Sequence, residues 1–546
     1  MRVKEYRFLT SRWFHPGAIA ASGLTLLVAM TTSAWAVNNV NDKPVAGGIL
    51  HVALGSDTPT IDPSTTAYSV AALVTRNVLD SLVGQAEDNH FTPWLAQRWE
   101  VSNDNKLYTF HLRKDVTFSD GTRLDAAAVK YNFDRILDPK TISPYSKSLL
   151  GPVDSIETPD DSTVVIRYKT AFAPLLQGLS LPYLGIQSPT YLKNTLNTSN
   201  TVVGSGPFIL DSFVKGSGSR LSKRADYHWG PGYATHQGPA WLDGIEFKYL
   251  PETAVRLGAL NSGQVQAIDA IPPVNYAQVT KNTRLQVITR ENPGVNRVLY
   301  LNIAQGPFQD VKVRQAFQSS VNSEAAVQAT FFGTVKPAHN VLGPTTVDYD
   351  PSVAASWGFD INKANRLLDE AGWKSKDGQG YRTRDGHRLT VRFIYVPGNV
   401  ESADVALFQA VQYQVKQTGF DLQLDPVDAG IFASRTASND YDIASNFFVR
   451  PEPDILRTVF HSSFIPPQGN NHARVNTIDD KLERAVGAGE EERKRLYHEI
   501  QHQVIDQAYV VPLYIPAFQL GLSRTVHSVN WATNAKPNFY DAWISR

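Results

Sequence analysis

The chain has 546 residues, too many for one hydrophobic core and enough for about three domains of about 150 residues each. It is 42% hydrophobic and 19% charged, an ordinary globular balance, and Lys+Arg and Asp+Glu are both 52 with no basic block, which argues against a nucleic-acid partner. Cysteine is absent, which excludes thiol nucleophiles, zinc–thiolate sites and iron–sulfur clusters.

The N-terminus departs from this average. Arg2, Lys4, Arg7 and Arg12 outweigh Glu5, residues 18–30 form an apolar run of 13, and Ala34-Trp35-Ala36 is an A-x-A cleavage signal. A run of 13 is too short for the roughly 20 residues that a bilayer span needs. The expectation is a signal peptide over 1–36, cleaved after Ala36. Its removal takes away four positive charges and one negative and leaves a net charge of −3. With no cysteine for a lipid anchor, the mature chain reads as a free periplasmic protein, large enough to need no disulfides.

Residues 38–45 read as a flexible lead-in, and 48–54 as the first strand, running into a loop at 55–63 and a helix over 68–83. The segment 95–135 predicts strand, turn, strand, turn, helix. Tyr108, Phe110 and Leu112 alternate with Thr109, His111 and Arg113, the period of a half-buried strand. Asn103-Asp104-Asn105 and Ser119-Asp120-Gly121 are turn-formers. Asp125 then precedes Ala126, Val129, Phe133 and Ile136, close to a 3.6 period. Further strands are expected at 163–168, 208–213 (entered through Gly204-Ser205-Gly206-Pro207), 241–250, 389–394, 441–444 and 508–514. A helix is expected at 252–262, an irregular loop at 446–453, and a second helix from Asp454 on. No internal repeat or low-complexity tract is visible.

In order and spacing, the 95–135 segment resembles the signature of the solute-binding proteins of family 5, which serve peptide and nickel ABC importers. Other blocks are similar in the same order. Ile61-Asp62-Pro63 resembles the family's "xLDP" loop. Gly263-Gln264-Val265-Gln266-Ala267 resembles "LxxGEVD", with Gln264 and Gln266 where acidic residues are usual. The stretch from Asn302 through Pro307-Phe308 to Arg314-Gln315-Ala316 resembles "NxxxxPFxDxRVRQA", and 362–373 resembles "KAxxLLxEAGW". The resemblance implies an α/β, two-lobed periplasmic binding protein (type II, class C) with an extra subdomain in the first lobe and a two-crossing hinge. The first lobe would comprise 37–75, 201–289 and 510–546, the extra subdomain 76–200, and the second lobe 290–509. The implied function is capture of a small solute, a di- or oligopeptide first of all, between the lobes. The solute would be delivered to an ABC permease in the inner membrane by a monomer without cofactor.

By that resemblance the polar loop after 441–444 lines the cleft, with Asn446, Phe447, Phe448, Arg450 and Glu452 as candidates. Peptide-binding relatives commonly place an acidic residue here for the peptide's ammonium group, and Arg450 falls at or next to that place. A guanidinium suits carboxylate or phosphate through a two-donor fork and is a poor neighbour for an ammonium group. Arg450 could instead cap a strand or pair with Glu452 or Asp454, and Glu452 could still supply the anion if it points inward. Asn399 lies where some short-peptide binders carry an arginine and can hydrogen-bond without forming an ion pair. Phe447 and Phe448 either stack on a ligand or belong to the core, and Tyr68 is a candidate of the same kind. These departures open a second reading, an anionic or sugar-like solute such as an opine; His461 alone suggests a third, a metal chelate such as nickel.

No catalytic motif competes. Val203 and Pro207 occupy the positions that a G-x-S-x-G frame around Ser205 would require to be glycine. There is no H-E-x-x-H and no Walker loop. His498 and His502 are spaced i, i+4 but lack a third ligand nearby in sequence, which favours a solvated helix face, and His461 reads as a helix-terminal hydrogen-bonding group. A secreted hydrolase or chaperone-like protein on the same fold is the reading from another class, and it would require an assembled nucleophile–base pair.

Overall fold

The computed structural model describes residues 43–195 and 198–545; the expected signal peptide lies outside them, as does the start of the lead-in. Two mixed sheets organise the described chain. The first has seven strands in the order Leu285–Glu291, Ala517–Ser523, Ala267–Asp269, Ile49–Leu54, Gly244–Tyr249, Gly218–Lys223 and Phe208–Val214. Ile49–Leu54 runs parallel to both neighbours, and the remaining pairings are antiparallel. The second has six, in the order Lys336–Pro337, Val510–Ile515, Gly294–Leu301, Ile443–Val449, Thr390–Tyr395 and Asp421–Pro426.

Burial follows from what covers each sheet. Every residue of Gly294–Leu301 is buried, so this central strand has no solvent face. Leu299 and Leu301 pack into one core with Phe317, Phe393 and Phe408, while Val295, Val298 and Tyr300 pack into another with Val459, Leu496 and Ile500. Helices therefore cover this sheet on both faces, the α/β layering expected. The first sheet shares its core with the 95–135 segment. That segment forms two strands, Ala96–Val101 and Leu107–Leu112, and the helix Ala126–Leu137, which Asp125 caps by accepting from Ala128 N at 2.8 Å. Its strands join Thr163–Tyr168 and Val153–Asp160 in a separate four-stranded sheet. Tyr108, Phe110 and Leu112 bury their side chains, as the alternation predicts.

The chain leaves the first sheet at Glu291, enters the second at Gly294, and returns between Ile515 and Ala517. The apolar strand expected at 508–514 thus belongs to the second sheet, because Val510–Ile515 pairs with Gly294–Leu301 and Lys336–Pro337; the return to the first sheet comes after it, at Pro516. The helix expected over 68–83 is also shorter, spanning Ser69–Thr75. Asn77 stops it: its side-chain amide donates to the carbonyls of Leu73 and Val74, and its Oδ1 accepts from Phe539 N. The buried segment that follows then turns into the strand Val83–Gln85. Finally, the loop expected at 446–453 is strand as far as Val449, because Gly294–Leu301 supplies a partner that local sequence does not reveal. Among the described residues no helix is long and apolar enough to cross a membrane.

Candidate functional site

The first passage between the sheets places Arg450. Gly294 has φ +106°, and a Cβ there would come within 2.2 Å of the Phe448 carbonyl oxygen and 2.7 Å of Arg450 N, so only glycine lets the two strands approach this closely. Arg450 N donates to the Pro293 carbonyl at 3.1 Å, which fixes the residue beside the crossing. Its side chain is 3% exposed, and its Nε and Nη2 have no hydrogen-bond partner among the described residues. These two nitrogens share one edge of the guanidinium, the edge that grips a carboxylate through two parallel bonds.

Neither expected partner neutralises it. Glu452 pairs with Arg493 and also accepts from Asp454 N at 3.2 Å. Asp454 is held by Arg457 at 2.6 Å and by the Tyr497 hydroxyl at 3.2 Å. Glu452 is therefore not a free anion aimed at a ligand, which corrects its expected role.

Across the gap stands an aromatic wall carried by the first-sheet half. Tyr145, on the helix Pro144–Leu150, meets Tyr183 edge-on at a ring separation of 4.7 Å. The Tyr183 hydroxyl donates to the Ala67 carbonyl at 3.4 Å, next to Tyr68, whose own side chain is exposed. Burial raises the Tyr145 hydroxyl pKa, while the positive charge of Arg450 acts in the opposite direction; the two groups sense one another from different halves of the molecule. Tyr145 and Tyr183 were not legible as site residues. The only signal was a tyrosine directly after a proline in each case, at Pro144 and Pro182.

A second polar cluster occupies the carboxyl ends of the parallel strands Ile49–Leu54 and Ala267–Asp269, the place where open α/β sheets bind ligands. Asp269 accepts from Gly55 N at 2.8 Å and lies 3.2 Å from Arg256, which is 3% exposed. Glu401, from the second half, interacts electrostatically with Asp269 and Arg256. Behind Glu401, Arg297 pairs with Asp404 at 3.2 Å and covers the Phe447 ring at 4.7 Å.

The other expected site residues divide. Phe447 and Phe448 are successive residues of one strand and point to opposite faces. Phe447 lies under Arg297, whereas Phe448 packs on the core that contains Val295 and Tyr300, which corrects its assignment to the ligand. Asn446 is half-buried and its Oδ1 accepts from Phe447 N at 2.9 Å. Its strand pairs with Thr390–Tyr395 only through Ile443 and Ala444, so backbone from Ser445 to Val449 has no strand beside it on that side. Asn399 closes the short turn Pro397–Asn399 and is exposed. His461 accepts from Ser463 N at 3.1 Å and lies 3.2 Å from Glu483, the helix-terminal role expected of it. Asp350 does come within 3.4 Å of His498 and 3.3 Å of His502, a neighbour sequence spacing hid. Even so, no set of three or more such side chains among the described residues is arranged to hold a metal ion.

The halves also meet opposite the two passages. Ala173 N donates to the Val486 carbonyl at 2.9 Å, and Asn105 Nδ2 reaches the Ala488 carbonyl at 3.5 Å. This contact, like the crossings at 291–294 and 515–517, joins the two halves.

Comparison with known proteins identifies the family and the fold. Residues 90–455 match the family model described as bacterial extracellular solute-binding proteins, family 5 middle. The chain is 28% identical over 523 residues to the glutathione-binding protein GsiB of Salmonella choleraesuis (strain SC-B67), covering 93% of this chain and 94% of that protein. Among solved structures it is similar to NikA from Brucella suis in complex with Fe(III)-EDTA, at TM-score 0.80 and 25% identity, covering 91% of this chain and 100% of that one. The periplasmic binding protein DppA from Helicobacter pylori, in complex with the peptide STSA, shares the fold at TM-score 0.74 and 24% identity, over 92% of this chain and 99% of that chain.

Proposed function

The chain belongs to the bacterial extracellular solute-binding proteins of family 5, and on that premise we propose that it is the periplasmic component of an ABC importer for a small, carboxylate-bearing peptide. The observation that carries this reading is Arg450, a guanidinium 3% exposed whose Nε and Nη2 lack partners among the described residues. Burying an unmatched charge costs several kcal/mol, and breaking such a pair typically about 3–5 kcal/mol, so a ligand that supplies the carboxylate recovers a large term. Tyr68, Tyr145 and Tyr183 would line one wall. Asn446 and Phe447 would line the other, with Asn399 at its rim and the open strand edge 445–449 available to a peptide backbone.

The two passages serve as the hinge, and the contact between Ala173 and Val486 forms when the lobes close. Ligand shifts the open–closed balance by its differential affinity for the closed state, and the closed form is what the inner-membrane permease recognises. In this reading the protein is exported with cleavage after Ala36, acts as a monomer and transforms nothing.

A non-peptide anion such as an opine is favoured by the same arginine over a cationic amine, and a metal chelate retains only its carboxylates as a handle. Native mass spectrometry of the periplasmically expressed protein decides among these by the mass of the retained solute. A protein that holds no solute and gains no thermal stability from peptides would defeat the import reading, as would turnover of peptides or esters by the pure protein.

A further inference from the structure

The first lobe buries one amide that the fold does not use. Gln177 sits on the short helix Leu175–Ser180, is 3% exposed, and has no hydrogen-bond partner at either Nε2 or Oε1 among the described residues. No other side-chain amide among them leaves both atoms buried and open. A buried donor or acceptor without a partner costs the full desolvation of that group, which a ligand can recover.

Helix geometry fixes the direction of this amide. Leu175 and Leu179, one turn apart, are fully buried in the first-lobe core. Gln177 is two residues from each, about half a turn round the axis, so it points away from that core. On one flank is Gly178, where a Cβ would come within 2.7 Å of the Leu149 carbonyl oxygen, in the helix that carries Tyr145. On the other flank the Ser180 hydroxyl reaches Gln85 Oε1 at 3.4 Å. One end of this wall touches the second lobe, as Ala173 N, just before the helix, donates to the Val486 carbonyl at 2.9 Å. The other end reaches the first passage, as Glu87, two residues after Gln85, lies 3.4 Å from Arg290. Gln177 stands between these two points, on the side of the wall turned toward the second lobe.

We propose that Gln177 is a ligand-binding residue that reads the main chain of a peptide. This rests on the peptide reading above and adds a first-lobe contact to it. In an extended chain the N–H and C=O of one residue point to one side and those of the next residue to the other. The Gln177 amide offers the matching pair, Oε1 for the N–H and Nε2 for the C=O. The open strand edge at 445–449 takes the neighbouring residue from the opposite side, so both lobes grip one peptide and the bonds to Gln177 form only on closure. A bare carboxylate would satisfy Nε2 and leave Oε1 open, so the amide selects a peptide over a simple anion.

The test is calorimetry on the mature protein with trialanine and two analogues, each with one peptide N–H replaced by an ester oxygen. Gln177→Leu should weaken trialanine about tenfold, the scale of one or two neutral hydrogen bonds. The loss caused by one ester should vanish in Gln177→Leu, and the loss caused by the other should persist. The melting temperature of the ligand-free variant should match or exceed that of the wild-type protein, because the empty site leaves the amide unpaired. Trialanine affinity within about twofold of wild type, ester losses equal in the two proteins, or a lower melting temperature in Gln177→Leu each overturns the proposal. If the wild-type protein binds no trialanine, the peptide reading falls and this proposal with it; binding that ignores Gln177 overturns this proposal alone.

Discussion

Asp80 in the first lobe and Arg450 in the second are both charged side chains taken almost completely out of water, at 0% and 3% exposure. Around Asp80 the chain supplies three donors, the Ser205 hydroxyl at 2.9 Å, the Trp229 indole N–H at 3.0 Å and the Tyr227 hydroxyl at 3.2 Å. Around Arg450 it supplies no acceptor to Nε or Nη2 among the described residues. The desolvation cost is of the same kind in both places, but in the first lobe the chain's donors offset part of it and in the second the fold leaves it open. A buried charge with its partners in the chain is architecture; one without them is a demand for something that comes and goes.

The comparison is broken most directly at Asp80. Asp80→Ala leaves the buried Ser205 and Tyr227 hydroxyls without this acceptor and the Trp229 N–H with only the Ser205 carbonyl at 3.0 Å, which should lower unfolding stability by about 2–4 kcal/mol in urea titrations. Burial raises the Asp80 pKa from 3.8 to about 6, so its favourable contribution is full below the unfolded value and declines as pH rises through about 6. The penalty of Asp80→Ala should therefore be larger at pH 4 than at pH 7. A loss below about 1 kcal/mol at both would remove the contrast on which this rests.

Arg450 should respond in the opposite way. Arg450→Met removes a charge the empty protein does not satisfy, so stability should hold or rise by about 1 kcal/mol. Affinity for the retained solute should fall by about 2–3 kcal/mol, thirtyfold to more than a hundredfold. If the variant loses stability and keeps its affinity, Arg450 is structural after all.

The same contrast explains what was legible in the sequence. The 95–135 hairpin and helix were readable because every determinant is local: alternation at Tyr108, Phe110 and Leu112, turn residues on both sides, and a capping Asp125. The two-lobed fold was readable through the order of several such blocks. The surroundings of Arg450 were not, since its environment is set by Gly294, Pro293 and Tyr145, from 156 to 305 residues before it in the chain. Residue type gave the sign of the charge at that position and nothing of its partners. The strand that carries Asn446 to Phe448 was mistaken for a loop for the same reason, as its partner Gly294–Leu301 lies far upstream. Phe447 and Phe448 look alike in sequence and differ only in which face of that strand they occupy.

The smallest expected effect lies at the contact that closes the gap from the side opposite the passages. A Cβ at Gly487 would come within 2.8 Å of the Ala171 side chain, closer than two such carbons pack. Gly487→Val should therefore leave the open lobes as stable as before and disfavour only their closure. Because ligand affinity includes the free energy of closing, binding should weaken by about threefold to tenfold, with the change in the dissociation rate. Small-angle scattering should show the ligand-bound variant wider than the bound wild-type protein. Unchanged affinity and unchanged dimensions would mean that Ala171 yields without cost, and that the charges of the cleft alone decide whether the lobes stay shut.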